Sequence, residues 1–151
     1  MDDYPGCVEI VPLAPCHVER ISEIERECFP NPWSYDAYLA ELSNPLAVVF
    51  VAVVDGETAG YADAHHIVDE LYINNIAVAE PYRQNGLATR LLKQFYKYAK
   101  KNDVVSITLE VRESNRVAIE FYERQGFEPV GRRHGFYSNP TEDALLMTKT
   151  F

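Results

Sequence analysis

The sequence predicts one mixed α/β domain, on three observations. Apolar, β-branched runs of strand length recur along the chain, stretches of helical period separate them, and one glycine-containing turn links a strand directly to a helix that leads to another strand. The chain has 151 residues, near the commonest domain size, and such a chain buries roughly 70% of its unfolded surface. Residues 1–151 are therefore read as a single domain.

A short strand is expected over 8–11, closed by Pro12 and Pro15. Apolar residues at Val18, Ile21, Ile24 and Cys28 with charges between them mark an amphipathic helix, which Pro30 and Pro32 stop. Ser34 reads as the N-cap of a second helix running to about Leu42, with Trp33 and Tyr38 placed to staple its start. The run 47–54, the turn dipeptide Asp55-Gly56 and the run 58–64 predict an antiparallel hairpin. A further strand covers 71–78. A third helix follows the 81–86 loop, with Leu91, Leu92, Phe95 and Ala99 on one face and Lys97, Lys100 and Lys101 toward the negative end of its dipole.

In the strand 104–111, Ile107, Leu109 and Val111 point one way while Thr108, Glu110 and Arg112 point the other, which sets a carboxylate on a strand face. A fourth helix spans 115–125 and stops at Gly126; strands near 127–133 and 144–151 finish the chain. The order β-α-α-β-β-β-α-β-α-β-β contains one parallel unit, around the third helix.

Composition limits the chemistry. A 47% apolar, 25% charged chain is an ordinary globular one. No apolar run approaches the ~20 residues that span a bilayer, and Met1-Asp2-Asp3 lacks the basic and apolar blocks of a signal peptide. A cytoplasmic protein without a membrane partner is expected. Cys7, Cys16 and Cys28 suit neither a disulfide framework nor a zinc knuckle and are expected as reduced, semi-buried thiols. The net charge of −9 argues against direct nucleic-acid binding and mildly favours cationic substrates such as amines. His65 and His66 are adjacent on a strand and so face opposite ways; at least one is expected to be exposed, and no metal cluster is visible.

The informative stretch is Ile76-Ala77-Val78 followed by Arg83-Gln84-Asn85-Gly86-Leu87-Ala88. A turn of this kind presents free backbone N–H groups at the positive end of a helix dipole, where a pyrophosphate is stabilised without lysine. Alone, R-x-x-G-x-A also describes a plain strand-to-helix turn. The chain has neither G-x-x-x-x-G-K-[ST] nor G-x-G-x-x-G with a following acid, so the P-loop and Rossmann sites are excluded.

Asn75-Ile76-Ala77-Val78, the R-x-x-G-x-A turn, Leu109-Glu110-Val111-Arg112, Ser114-Asn115, Ala118-Ile119, Phe121-Tyr122 and Gly126-Phe127 together resemble, in order and spacing, the GNAT acetyltransferases, and within them the RimI-type ribosomal-protein alanine N-acetyltransferases. The similarity covers nearly the whole chain, including Pro32-Trp33-Ser34 and Glu142-Asp143-Ala144.

The resemblance implies the GNAT fold: a mostly antiparallel sheet with a splayed central parallel pair, flanked by about four helices, with acetyl-CoA wedged into the splay. The pantetheine arm would bond the backbone of Ile76, Ala77 and Val78, the pyrophosphate would sit on the turn formed by Arg83, Gln84, Asn85, Gly86, Leu87, Ala88 and Thr89, and Asn115 would touch the cofactor from its far side. Glu110 matches the family's general base and Tyr122 its general acid, with a backbone N–H near Val78 meeting the oxyanion. The implied acceptor is a protein N-terminus, that of a ribosomal protein.

Read from the residues, the pair fits direct transfer: an amine must lose a proton to attack a thioester, and the departing thiolate must gain one. Each member also has a plainer reading, Glu110 as a solvated strand residue and Tyr122 as a packing aromatic. Trp33, Tyr35 and Tyr137 are expected to shape the acceptor mouth, where the family's Asn-Tyr-Tyr after the arginines is replaced by His134-Gly135-Phe136-Tyr137. The alternatives are a small-amine acetyltransferase acting on a polyamine, amino acid or aminoglycoside, and an acyl-CoA binding module without catalysis. A long groove at the mouth would favour a peptide, a closed pocket a small amine.

Overall fold

Strand pairing organises the molecule. In the computed structural model, which describes residues 6–151, the strands are β1 (Val8–Pro12), β2 (Ala47–Val54), β3 (Glu57–Ile67), β4 (Glu70–Val78), β5 (Ser106–Arg112), β6 (Glu128–Tyr137) and β7 (Glu142–Thr150). They form one sheet in the order β1-β2-β3-β4-β5-β7-β6, antiparallel throughout except for the parallel pair β4 and β5. The helices are α1 (Val18–Cys28), α2 (Tyr35–Glu41), α3 (Leu87–Lys101) and α4 (Arg116–Arg124). The predicted element order is the observed one. Residues 1–3, the acidic opening, lie outside the described residues, and among those described no helix is long and apolar enough to cross a membrane.

Helices cover both faces. On one, Leu91, Leu92, Phe95 and Ala99 of α3 and Ile119 of α4 pack on Ala62, Ala64, Leu71, Ile73, Ile107, Leu109 and Met147. A fully buried Leu or Phe side chain contributes about 1.5–3 kcal/mol, so this face carries much of the stability. On the other, Val18, Ile21 and Ile24 of α1 and Tyr38 of α2 meet Val51, Tyr61 and Ala77. The start of α2 is as predicted: Ser34 Oγ accepts the Ala37 N–H at 3.1 Å, and the Trp33 and Tyr38 rings lie 5.3 Å apart.

β4 changes faces partway. Its register against β3 shifts between Asp63 and Ala64, leaving Asn74 as an extra residue. Before this bulge Leu71 and Ile73 face α3; after it Ile76 faces α3 while Asn75 and Ala77 turn to α1. Hydrogen bonding of β4 to β5 runs only from Glu70↔Ser106 to Ile73↔Leu109, so the parallel pair parts where the bulge begins. Each strand stays paired on its outer side, β4 with β3 as far as Val78 and β5 with β7 as far as Arg112. A gap opens in the sheet without either strand losing its place.

Four expectations are corrected. β6 reaches Tyr137 instead of ending near 133, because a register shift between Arg133 and Tyr137 bulges residues 134–136 out and lets pairing resume at Tyr137↔Glu142. Cys7 and Cys16 are exposed and only Cys28 is half-buried; all three are free thiols. Neither His65 nor His66 is fully exposed, since each is drawn to a partner on its own face: His65 Nε2 lies 2.8 Å from Glu41 Oε2, and His66 Nδ1 2.7 Å from the Tyr98 hydroxyl. Finally, Glu41, Asp63 and His65 gather their donor atoms within 4.8 Å of one another, a cluster invisible in the sequence because α2 and β3 are brought together only by folding.

At Gly60, β3 lies close against the parted end of β4: a Cβ there would stand 2.8 Å from the Ala77 carbonyl oxygen and 3.3 Å from Val78 Cα. Both are backbone atoms that cannot turn aside. Gly60→Ala is expected to cost about 1–3 kcal/mol in urea unfolding, with amide shift changes centred on Ala77 and Val78; an unchanged midpoint would contradict the close approach.

Candidate active site

The gap between β4 and β5 becomes a cleft of about 460 Å³. Its walls include Ile73 to Ile76 from β4 and Leu109 to Arg112 from β5, with Trp33 at one side and Tyr122 and Tyr137 at the other. Because Ile107, Leu109 and Val111 are buried against α3 and α4, strand alternation turns Glu110 toward the α1 face. Tyr122 belongs to α4 on the opposite face. A single cleft can hold both only because it passes through the parted sheet.

Glu110 is the least satisfied carboxylate in this cleft. Its side chain is 3% exposed, Arg133 Nε lies 3.0 Å from Oε2, and yet neither oxygen accepts a hydrogen bond of good geometry. The contact with Arg133 is thus an ion pair of poor directionality, made by an arginine that is itself 54% exposed. Burial pushes the Glu110 carboxyl above the usual range, and Arg133 opposes it. Arg133 was not singled out in the sequence, where it is one of two adjacent arginines.

The phenols beside it are held protonated. Burial, then the neighbouring Tyr137 and Tyr96, push the Tyr122 hydroxyl well above its ordinary value. Tyr137 is pushed up to about 12 by burial first and then by the Glu110 carboxylate. Arg112 lies 4.6 Å from the Tyr137 ring centre, bonds the Ser138 carbonyl at 2.7 Å and pairs with Glu142 at 3.2 Å, which fixes the ring against the cleft wall.

Glu25 of α1 lines the cleft from the other side, wholly buried and wholly satisfied. Its Oε1 accepts from Tyr61 Oη, from Tyr38 Oη at 2.9 Å and from Asn75 Nδ2 at 3.1 Å, while Oε2 accepts the Trp33 N–H at 2.8 Å. One carboxylate so ties α1, α2, β3, β4 and the Trp33 loop together. A sequence signal for it exists: position 25 falls on the Ile21, Ile24, Cys28 stripe, where a charge is out of place.

The mouth is bridged. Asn31 Nδ2 donates to the Ser138 carbonyl at 2.9 Å and to its hydroxyl at 3.1 Å, and Asn139 Nδ2 donates to Asn31 Oδ1 at 2.8 Å. Trp33 and Tyr137 line the cleft. Tyr35 does not: as the first residue of α2 it is 45% exposed, because the staple needs Trp33 and Tyr38 on the inner side.

The strand-to-helix turn has the geometry of an anion site. Gln84 and Gly86 adopt left-handed conformations, φ 65° and 78°, and Gly86 is the N-cap of α3 without any side-chain cap. The first intrahelical bond runs from the Arg90 N–H to the Gly86 carbonyl at 3.0 Å, so the N–H groups of Leu87, Ala88 and Thr89 precede it. Arg83 turns back, bonding the Val78 carbonyl at 2.9 Å and Cys28 Sγ at 3.3 Å, while Asn85 Nδ2 bonds the Arg83 carbonyl at 2.9 Å. Leu87 itself is core. Ile76 faces the cleft, whereas Ala77 is buried and neither it nor Val78 lines the cavity. Asn115 reaches the cleft wall and also caps α4 by accepting the Ala118 N–H at 3.2 Å.

If Arg133 restrains the Glu110 carboxyl as the geometry indicates, Arg133→Ala raises its pKa further. The carboxyl carbon shift of Glu110 followed by NMR across pH reads this directly, and a fall or no change would show the ion pair to be without effect.

With this geometry in view, the relatives of the chain are informative. Residues 18–127 match the acetyltransferase (GNAT) family. A protein of Bacillus subtilis (strain 168), provisionally named a ribosomal protein bS18-alanine N-acetyltransferase, is 36% identical over 134 residues, 88% of this chain and 89% of that one. The crystal structure of the ribosomal-protein-S18-alanine N-acetyltransferase from Escherichia coli superposes with a TM-score of 0.88 at 29% identity, covering 95% of this chain and 94% of that one. Arabidopsis thaliana NAA60 in complex with acetyl-CoA superposes at 0.86 with 26% identity, covering 96% and 99%. The fold is that of these solved structures. The chain belongs to the GNAT family and is an acetyl-CoA dependent N-acetyltransferase.

Proposed function

We propose that this enzyme acetylates the N-terminal α-amine of a protein, with a ribosomal protein as its target, and that Glu110 serves as general base and Tyr122 as general acid. The observation that carries the reading is Glu110: a carboxylate buried in the cleft, raised in pKa and left without a well-formed hydrogen bond. The acceptor reading is supported by the bacterial relatives, whose names specify an alanine of a ribosomal protein.

Acetyl-CoA would lie in the parted sheet. Its pantetheine arm would run along Ile76, Ala77 and Val78, its pyrophosphate against the turn from Arg83 to Thr89, and Asn115 would border it on the α4 side. The fit rests on the backbone freed where β4 leaves β5 and on the uncapped start of α3.

The acceptor nitrogen attacks the thioester carbonyl, forming the C–N bond as the C–S bond breaks; its surplus proton passes to Glu110, and the thiolate is protonated by Tyr122. An α-amine with a pKa of about 8 is roughly a tenth neutral at pH 7, whereas a lysine amine at about 10.4 is almost wholly charged. A carboxylate raised above its ordinary ~4.3 is the better base for the first task. Burial of Tyr122 keeps its proton in place until sulfur develops charge.

One observation favours a second reading. The Asn31–Ser138 bridge spans the mouth, and a spanned mouth suits a small amine better than a chain. A non-catalytic acyl-CoA binding module is disfavoured by the pairing of Glu110 with Tyr122 in one cleft.

A thiol-release assay with acetyl-CoA separates these readings, using short peptides that begin with Ala, Ser or Met beside polyamines and free lysine. Turnover of the Ala peptide, slowed ~100-fold or more by Glu110→Gln, supports the proposal; turnover of small amines alone supports the second reading; acetyl-CoA binding with no turnover of any of these overturns both acceptor readings. The acid limb of the kcat/KM profile should lie above the usual carboxylate range, since the base works only when ionised and activity is lost as pH falls through its raised pKa.

A further inference from the structure

On the α1 and α2 side of the sheet, next to Trp33 and Asn74 of the cleft wall but not itself lining the cleft, lies the cluster of Glu41, Asp63 and His65. Asp63 is 0% exposed and Glu41 8%. His65 Nε2 stands 2.8 Å from Glu41 Oε2 and 3.9 Å from Asp63 Oδ1, and one donor atom of each residue lies within 4.8 Å of the others. Two buried carboxylates brought this close repel unless a proton or a cation stands between them. No N–H or hydroxyl group donates to the buried Asp63 Oδ2, and the Glu41 carboxyl is near enough to share a proton with Asp63.

We propose that Glu41, Asp63 and His65 form a binding site for one divalent transition-metal ion of the zinc class, which clamps the end of α2 to β3. The donor set is one imidazole nitrogen and two carboxylates, the mixture that favours such ions over the all-oxygen shells of magnesium and calcium. Tetrahedral donors about 2.0–2.2 Å from zinc stand roughly 3.3–3.6 Å apart. The 2.8 and 3.9 Å separations of the imidazole nitrogen from the two carboxylates straddle that spacing. A divalent charge also neutralises both carboxylates.

The surroundings orient the ligands. Asn74 Nδ2 donates to Asp63 Oδ1 at 2.9 Å, and Asn44 Nδ2 donates to Glu41 Oε1 at 3.0 Å. Each carboxylate is thus held by an amide, as outer-shell partners hold metal ligands. Glu41 and Asn44 also line a neighbouring cavity of about 400 Å³. Asn74 is the bulged residue of β4, so the ion would steady the point at which β4 parts from β5.

The chain's one tryptophan reports on the site, because the Trp33 ring lies 6.5 Å from that of His65. Co²⁺ is titrated into chelator-treated full-length protein, following Trp33 fluorescence and the visible absorption of the metal. Quenching that saturates at one equivalent, is displaced by Zn²⁺ and is reversed by chelator supports the site. Asp63→Asn and His65→Gln should each weaken it tenfold or more. A Cys7→Ser, Cys16→Ser protein, which lacks the exposed thiols, should quench as the wild type does. If His65→Gln does not fold, as judged by circular dichroism, Asp63→Asn alone decides. The proposal is overturned by the absence of saturable quenching, by equal quenching in the folded variants, or by its loss with the two cysteines; a shared proton then holds the carboxylates together.

Discussion

Everything in the active site depends on where β4 and β5 stop being hydrogen-bonded. A parallel pair buried between helices is ordinarily continuous, because an unpaired backbone group in a core is costly. Here pairing ends at Ile73↔Leu109, and the cost is contained because each strand keeps its outer neighbour. The inner edges then need another partner, and an amide-bearing cofactor arm is chemically suited to supply it. The Asn74 bulge does two things at once: it diverges β4 from β5 and reverses which side chains face α1. Without it, Asn75 would not reach Glu25 and Ile76 would not face the α3 side.

The fold buries several carboxylates near this parting and treats each differently. Glu25 is solved by neutral donors, two phenols, an amide and a backbone N–H, and becomes a structural hub. Glu41 and Asp63 are solved by proximity to each other and to His65: burial chiefly, and then Glu41, raises the Asp63 carboxyl, while bonds from Asp63, Asn44 and His65 outweigh burial and lower Glu41. Glu110 has only a partly exposed arginine. A fully bonded carboxylate has its oxygens occupied by donors, whereas one desolvated and poorly bonded is basic. The difference in bonding, not in burial, separates the candidate base from the scaffold.

Specificity is a matter of the rim. The loop after α1 and the turn after β6 meet through Asn31, Ser138 and Asn139, with Trp33 and Tyr137 beneath. Both segments are anchored from behind, Trp33 by its N–H to Glu25 and Tyr137 by Arg112. The bridge itself consists of exposed amide and hydroxyl groups, so opening it exchanges protein hydrogen bonds for bonds to water at small net cost.

The sequence by itself determined the elements and their order. Period-3.6 and period-2 patterns, the Ser34 cap, the Asp55-Gly56 turn and the Gly86 turn are local signals, set by a few neighbouring residues and legible without knowing the rest of the chain. Strand alternation also gave the side of β5 that Glu110 occupies, and the family resemblance named it and Tyr122. Only the tertiary structure decided what those residues touch. Arg133 over Glu110, Glu25 beneath Trp33, the Asn31–Ser138 bridge and the meeting of Glu41 with Asp63 and His65 join segments far apart in the chain. The bulges at Asn74 and at residues 134–136 likewise arise from register against a partner strand, and Tyr35 was misplaced because helix phase alone does not say which aromatic at a cap turns inward. Such contacts follow from packing of whole layers, and no local pattern encodes them.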